Sequence, residues 1–324
     1  MKKLLLFVCA VFVSIHSNAQ IHLKEMERPE LLFSIELNKR AVDYQLENLY
    51  LSKDSLSIRV WMGGSVLNIT KNKNIQAQFI TSIYHSSKSQ RVWKKHEIDV
   101  KTTQELYNFL MQEDIYNIPH SIRGGIDGTT YFFEVATPSK YRMYSYWSPR
   151  DKDGDSLERK VSFILQSIHQ KVKSAELYNN FYESLEAGNY MYGMMQFLTI
   201  ERFLPEDSPK SELYQEIEKI IKTEFEVNEK TSVRAYPKIL IDHRPVFLKD
   251  LNWIARKDVE SIQALKEIKP EMTALYGDVS NGLILIQTYQ HLKQVEAEKK
   301  AIQEWNKKHQ SNTNQSKKKK KGKK

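Results

Sequence analysis

From Leu56 to Ile98 the chain settles into a period of two. Residues 56–62, 65–69, 75–84 and 91–98 each alternate or cluster β-branched and aromatic residues, and Gly63-Gly64 marks a tight turn between the first two. Segments of this kind bury one side of a pleated ribbon, so they predict successive antiparallel strands. Upstream, one helix is expected around 38–51. Downstream, Thr102 and Glu105 form a capping box for a helix that presents Leu106, Phe109 and Leu110 and ends near Asp114. After the flexible run Gly124-Gly125-Ile126-Asp127-Gly128, residues 129–137 and 140–147 predict a hairpin dense in rings: Tyr131, Phe132, Phe133, Tyr141, Tyr144, Tyr146 and Trp147. From Ser156 onward, Leu157, Val161, Ile164, Leu165, Ile168 and Val172 recur at helical spacing. Strands followed by helices without strict alternation predict an α+β domain over residues 20–174, with an antiparallel sheet and helices.

The formal charge of +9 describes the two ends of the chain. Lys2 and Lys3 supply two charges, and residues 299–324, with eleven lysines against Glu304, supply a net ten, which leaves the body at −3. The first nineteen residues combine those two lysines with the apolar run 4–13 and with Ser17-Asn18-Ala19 before Gln20, the pattern of a cleaved secretory leader. The only cysteine, Cys9, lies in that run. A chain cleaved there carries no thiol, which excludes disulfide scaffolds, zinc–thiolate sites and cysteine nucleophiles. No later segment approaches the roughly twenty apolar residues of a spanning helix.

Residues 175–235 predict a helical segment, with helices expected at 175–186, 190–203 and 211–225. Gly188-Asn189-Tyr190, Gly193, Phe197 and Pro205 are spaced like the second half of a tetratricopeptide repeat, although one partial unit is too little for an array. Met191, Met194 and Met195 suit core filler better than a peptide groove. Residues 291–324 predict a polar helix over 291–308 and then a disordered lysine-rich tail ending in Lys317–Lys321, Lys323 and Lys324.

The most specific stretch is 236–290. Residues 238–242 read as a short buried strand that Pro245 stops from continuing as a central one, and 259–265 as a strand covered on part of its surface. Pro270 suits the first position of a helical turn ending at Tyr276, with Gly277 as its left-handed cap. Asn281-Gly282 is a turn signal before the apolar strand 283–286. Ile241-Asp242, then Asp258-Val259-Glu260-Ser261-Ile262 with Leu265-Lys266, then Ala274-Leu275-Tyr276-Gly277, Asn281-Gly282 and Leu283-Ile284-Leu285-Ile286 follow one another in a recognisable order. In these residues the stretch resembles the plug domain of TonB-dependent outer-membrane receptors. The resemblance implies a small plug-like α/β module and the envelope of a Gram-negative bacterium, with Asp242, Glu260, Ala274, Leu275, Tyr276, Gly277, Asn281 and Gly282 as the motif. The pattern departs from that family at His243, where glycine usually follows the aspartate. It also has no TonB box or immunoglobulin-like leading domain, and about 35 polar residues follow instead of the many tilted strands of a barrel.

Signals for chemistry are sparse. His96-Glu97 begins an HExxH match that Val100 ends. Asp151, Asp153, Asp155 and Glu158 offer oxygens to Ca²⁺, but Gly154 precedes the third acid instead of following it, so a solvated turn with helix-start charges fits better. No phosphate loop, dinucleotide fingerprint or nucleophile elbow occurs. The expectation is therefore a non-catalytic exported binding protein of the periplasm or outer membrane, or a secreted one, with no cofactor or metal. Its partner would be an envelope protein, and its lysine tail would contact anionic envelope surface, with no nucleic acid and no membrane span after cleavage. An accessory of TonB-linked uptake is the alternative, and an enzyme with an unrecognised site the third reading.

Overall fold

A computed structural model describes residues 25–27, 31–121, 124–125, 127–192 and 196–321. The expected leader lies outside them. The chain is a mixed α+β protein in two compact units. The N-terminal unit runs to Phe181 and takes in Met191–Gln196, and the C-terminal unit comprises Tyr182–Tyr190 and the chain from Phe197 onward. No helix among the described residues is long and apolar enough to cross a membrane.

The N-terminal unit is built on β1 (Glu25–Glu27), β2 (Leu56–Met62), β3 (Ser65–Lys71), β4 (Ile75–His85), β5 (Gln90–Glu97), β6 (Thr130–Ala136) and β7 (Lys140–Trp147). Their order is β1-β7-β6-β2-β3-β4, with β5 on β4, and every pairing is antiparallel except β1 with β7. Helices α1 (Leu31–Asp43), α2 (Val100–Gln112) and α3 (Ser156–Lys171) pack on the sheet. The strand alternation sorts residues between the faces. Ile58, Val60, Leu67, Phe79, Phe133 and Tyr144 form one core with Leu106 and Leu110 of α2 and Val161, Ile164 and Ile168 of α3. Trp61, Val66, Ile80, Phe132, Tyr141 and Met143 form another with Leu37 and Ala41 of α1 and with Tyr44. The aromatic hairpin β6–β7 thus lies inside the sheet and not on a presented surface. Phe132, Phe133, Tyr141, Tyr144 and Tyr146 are buried, Phe133 stacks on Tyr144 at 5.0 Å, and only Tyr131 and Trp147 are half-buried.

Two helix starts differ from expectation. α2 begins at Val100 because Asp99 caps it, its carboxylate accepting the Thr102 N–H at 2.9 Å, so Thr102 lies inside the helix. α1 begins at Leu31 and stops at Asp43, where Gln45 adopts φ +54° and the N–H groups of Leu46 and Gln45 bond back to the carbonyls of Ala41 and Val42. Asp155 caps α3 by accepting the N–H groups of Leu157 and Glu158, the helix-start role preferred for it over a cation ligand.

On the α1 face a polar ladder crosses three strands. Arg59 stands opposite Asn68 on β3 and opposite Glu134 on β6. Its Nε donates to Asn68 Oδ1 at 2.9 Å, one Nη donates to the Glu47 carbonyl at 2.8 Å, and the other lies 3.7 Å from Glu134. Glu134 also accepts from Trp61 Nε1 and from the Tyr141 hydroxyl, both at 2.7 Å. With Arg59 and Glu134 at 1% and 4% exposure, the pair survives burial because each charge is matched and its remaining sites are bonded.

α4 (Ser174–Tyr182) belongs to the N-terminal unit up to Phe181, and along the chain the division between the units falls within β8 (Gly188–Tyr192) and β9 (Gln196–Ile200). The expected helix over 190–203 is replaced by these two strands, and the repeat-type helix pair goes with it. Tyr190, Tyr192, Phe197, Thr199 and Ile200 are strand formers, and the methionines between them, which masked that preference, include residues outside the described set. Then come α5 (Glu212–Glu224), β10 (Lys238–Ile241), β11 (Arg244–Val246), the 3₁₀ turns Leu248–Trp253 and Arg256–Asp258, β12 (Val259–Leu265), α6 (Pro270–Tyr276), β13 (Leu283–Thr288) and α7 (Tyr289–Lys321). The sheet order is β11-β10-β13-β12, with β10 parallel to β13 and the other pairs antiparallel. Leu213, Tyr214, Ile217 and Ile221 of α5 pack with Ile239, Ile241, Ile284 and Ile286 on one face, and Leu240, Leu283 and Leu285 pack with Val279, Met272 and Tyr276 on the other. The expected helical segment and plug-like stretch therefore share one core. α7 runs past Gln310 to Lys321. Its Gln, Lys, Ser and Asn residues contain no breaker before Gly322.

Truncating Glu134→Ala strands the Arg59 charge and should destabilise the N-terminal unit by about 3–5 kcal/mol. The double change Arg59→Met with Glu134→Leu should cost less than the single one. Urea titration followed by tryptophan fluorescence checks both, and equal costs would show that the ladder's charges are not coupled.

Candidate interaction site

Part of the motif lies at the ends of β10 and β13. Asp242 and His243 form the two-residue turn between β10 and β11, with φ +48° and +68°, the geometry that suits the twist of a tight hairpin. His243 thus adopts the left-handed conformation at the very position where the resembling pattern has glycine. Its ring lies nearly coplanar with that of Tyr276 at 6.1 Å, its Nδ1 is 2.7 Å from the Tyr276 hydroxyl, and His291 meets it edge-on at 5.7 Å. Asp242 ties the turn to the start of α7. Its carboxylate accepts the Thr288 N–H at 2.9 Å and the Thr288 hydroxyl at 2.7 Å, while the Thr288 hydroxyl oxygen accepts the His291 N–H. The chain thereby leaves the sheet into α7 through a capped and side-chain-buttressed junction.

The other motif residues hold the turn between α6 and β13. Tyr276 is half-buried, and its carbonyl accepts from Lys238 Nζ. Gly277 takes φ +74° and closes α6 by donating its N–H to the Thr273 carbonyl at 2.9 Å. Asn281 Nδ2 donates to the Arg234 carbonyl at 2.7 Å. Gly282 has φ +102°, and a Cβ there would sit 2.3 Å from the Phe225 ring. Ala274 and Leu275 lie exposed on the outside of α6, Leu275 at 73%. Glu260 is exposed on β12, which β13 separates from Asp242. The structure therefore brings Asp242 and Tyr276 together around His243 and leaves Glu260 apart.

Sequence reasoning missed Thr288 and His291, whose link to Asp242 spans more than forty residues and carries no local signal. It also missed Glu201. This carboxylate is buried and accepts the N–H groups of Arg202 and Leu248, each at 3.0 Å, so it ties the chain after β9 to the first 3₁₀ turn. Burial raises its carboxyl to about 7 against the opposing pull of those two N–H groups. A concavity of about 430 Å³ nearby is lined by Phe203, Lys210, Glu218 and Lys222, but both lysines pair with Glu218, at 3.1 and 2.7 Å. No group of three or more His, Cys, Asp or Glu side chains among the described residues is arranged to hold a metal.

The sheet's two edges differ. β11 is three residues long and contains Pro245, features that discourage further pairing. β12 is seven residues long, and after a bulge between Val259 and Ser261 its five residues Ser261-Ile262-Gln263-Ala264-Leu265 are uncharged. By contrast, β5, which has only β4 beside it in the N-terminal unit, carries Arg91, Lys94, Lys95 and Glu97.

Gly282→Ala should cost about 1–3 kcal/mol, since the strained φ and the Phe225 clash both oppose a side chain; a urea midpoint equal to that of the parent would show that neither acts. For Glu201, the folded chain holds a proton that the unfolded chain releases above the ordinary 4.5, so stability should fall as pH rises from 4.5 to about 7 and level off beyond it. Glu201→Gln should flatten that decline, and an unchanged slope in urea titrations across the interval would assign the pH dependence elsewhere.

No family model matches the chain, and comparison with curated proteins returns no match, so the reading of the site rests on its own residues.

Proposed function

We propose that the chain is a non-catalytic interaction protein of a Gram-negative cell envelope, and that its C-terminal unit binds a protein partner by strand addition at β12. The observation that carries this reading is the open, uncharged edge Ser261–Leu265 beside β13. Its outward N–H and C=O groups supply a template for another strand, and the alternating side chains supply selectivity. The envelope assignment draws on the leader pattern of residues 1–19 and on the plug-like order of residues in 236–289. The lysine run Lys317–Lys321 lies at the far end of α7, about 40 Å along the helix from Tyr289 at 1.5 Å per residue. In this reading it contacts anionic envelope surface while the sheet engages the partner.

A second reading, an accessory of TonB-linked uptake, is favoured by one observation: His243 occupies a left-handed turn conformation where the resembling family has glycine. The partner would then be a receptor or an energising protein.

A lysine at the centre of the edge blunts pairing, so Gln263→Lys should lower crosslinked capture of the partner from native envelopes at least tenfold while the far-UV spectrum stays unchanged. Capture undiminished by this substitution would remove β12 from the binding function.

A further inference from the structure

The uncharged strip on β12 is bounded by opposite charges, Glu260 before it and Lys266 after it. This pattern, an acid, five neutral residues and a base, is self-complementary when a strand meets its own copy running the other way. Alignment about Gln263 brings Glu260 of one copy and Lys266 of the other to the same end of the strip, at both ends. It also sets Ser261 opposite Leu265, Ile262 opposite Ala264, and Gln263 opposite Gln263. A parallel copy in the same register would instead stack like charges on each other, which is destabilising.

The side-chain placement agrees with the antiparallel arrangement. Ile262 and Ala264 stand opposite Ile286 and Ile284 on β13, the residues that face α5, so the two copies would continue one apolar face. Ser261, Gln263 and Leu265 stand opposite Gln287, Leu285 and Leu283. Gln263 is exposed and its amide both donates and accepts, so two copies of it across a twofold axis satisfy each other. The bulge between Val259 and Ser261 ends the regular edge at the point where the self-complementary strip begins.

We propose that the partner at β12 is a second copy of this chain, joined antiparallel about a twofold axis at Gln263, so that two four-stranded sheets become one continuous sheet. The interface is isologous, each copy offering the same strip to the other. The inference rests on the reading of β12 as the docking edge, and it adds the identity, direction and register of the occupant.

The test uses the full chain with Cys9→Ser, in which any introduced cysteine is the only thiol. Residues directly opposite in an antiparallel pair have Cα atoms about 4.5–5.5 Å apart, within reach of a disulfide. Gln263→Cys should therefore give a disulfide-linked dimer under mild oxidation in at least tenfold greater yield than Ser261→Cys or Leu265→Cys alone. Those two variants, mixed, should crosslink to each other. Equal yields at all three positions, or a monomer in sedimentation equilibrium at every concentration, would overturn the inference. Hydrogen exchange of the unmodified chain separates this failure from failure of the underlying reading. Slow exchange at Ser261–Leu265 only when a captured envelope protein is bound would keep β12 as the docking edge with a different occupant. Fast exchange there under all conditions would overturn both.

Discussion

The parallel pairing of β10 with β13 joins Lys238–Ile241 to Leu283–Ile286 across the whole intervening chain. It places Ile239, Ile241, Ile284 and Ile286 on one face and Leu240, Leu283 and Leu285 on the other, so both apolar layers of the C-terminal unit depend on this register. A slip of one residue in β10 would exchange its residues between the two faces and break the packing of both layers. The same pairing brings Asp242 beside Thr288, and so fixes where α7 leaves the sheet. It also decides which strands are edges. With β10 and β13 in the middle, β11 and β12 are left outside, and only β11 is shortened and blocked by proline.

The N-terminal unit solves a different problem. Its sheet is covered on both faces, so the polar residues that strand alternation turns toward α1 cannot reach water freely. Arg59, Asn68 and Glu134 fall on three adjacent strands in one register, and with the Trp61 and Tyr141 donors they satisfy one another. Burial of such a group without its partners would cost several kcal/mol. The ladder therefore favours this strand register over others that would pair the apolar residues nearly as well. The dense aromatic hairpin also belongs to this solution, since its rings fill both layers and its hydroxyls bond inward to Glu134 and to the carbonyls of Ile115 and Pro119.

Much of the architecture was legible because it rests on local periodicity. The strands from Leu56 to Glu97, the hairpin up to Trp147, the helix from Ser156, and the run of β12, α6 and β13 all stand close to where alternation and turn residues place them. The errors fall where local signals compete. Residues 190–203 contain methionines and a leucine that suit a helix as well as a strand, and the pairing of β8 with β9 decided between them. Thr102 and Glu105 imitate a capping box, yet Asp99, three residues earlier, offers the better acceptor and takes the role. At the candidate site, Gly277 and Gly282 were readable as turn residues because positive φ selects glycine, and Asn281 because Asn-Gly is a turn signal. The His243–Tyr276–His291 cluster and the buried Glu201 were not, since their partners lie far along the chain.

By itself, the sequence determined the α+β class, the positions of most strands and turns, the concentration of positive charge at the ends of the chain, and the neutral strip between Glu260 and Lys266. These follow from residue types and short-range spacing, which act before any distant contact forms. Tertiary structure alone decided that the segment around α5 and the stretch from β10 to β13 share one core, that Glu201 is buried against Leu248, and that β12 is an outer strand. Each of these depends on contacts between residues distant in sequence, and a carboxylate or a strand carries no mark of its surroundings until the fold supplies them.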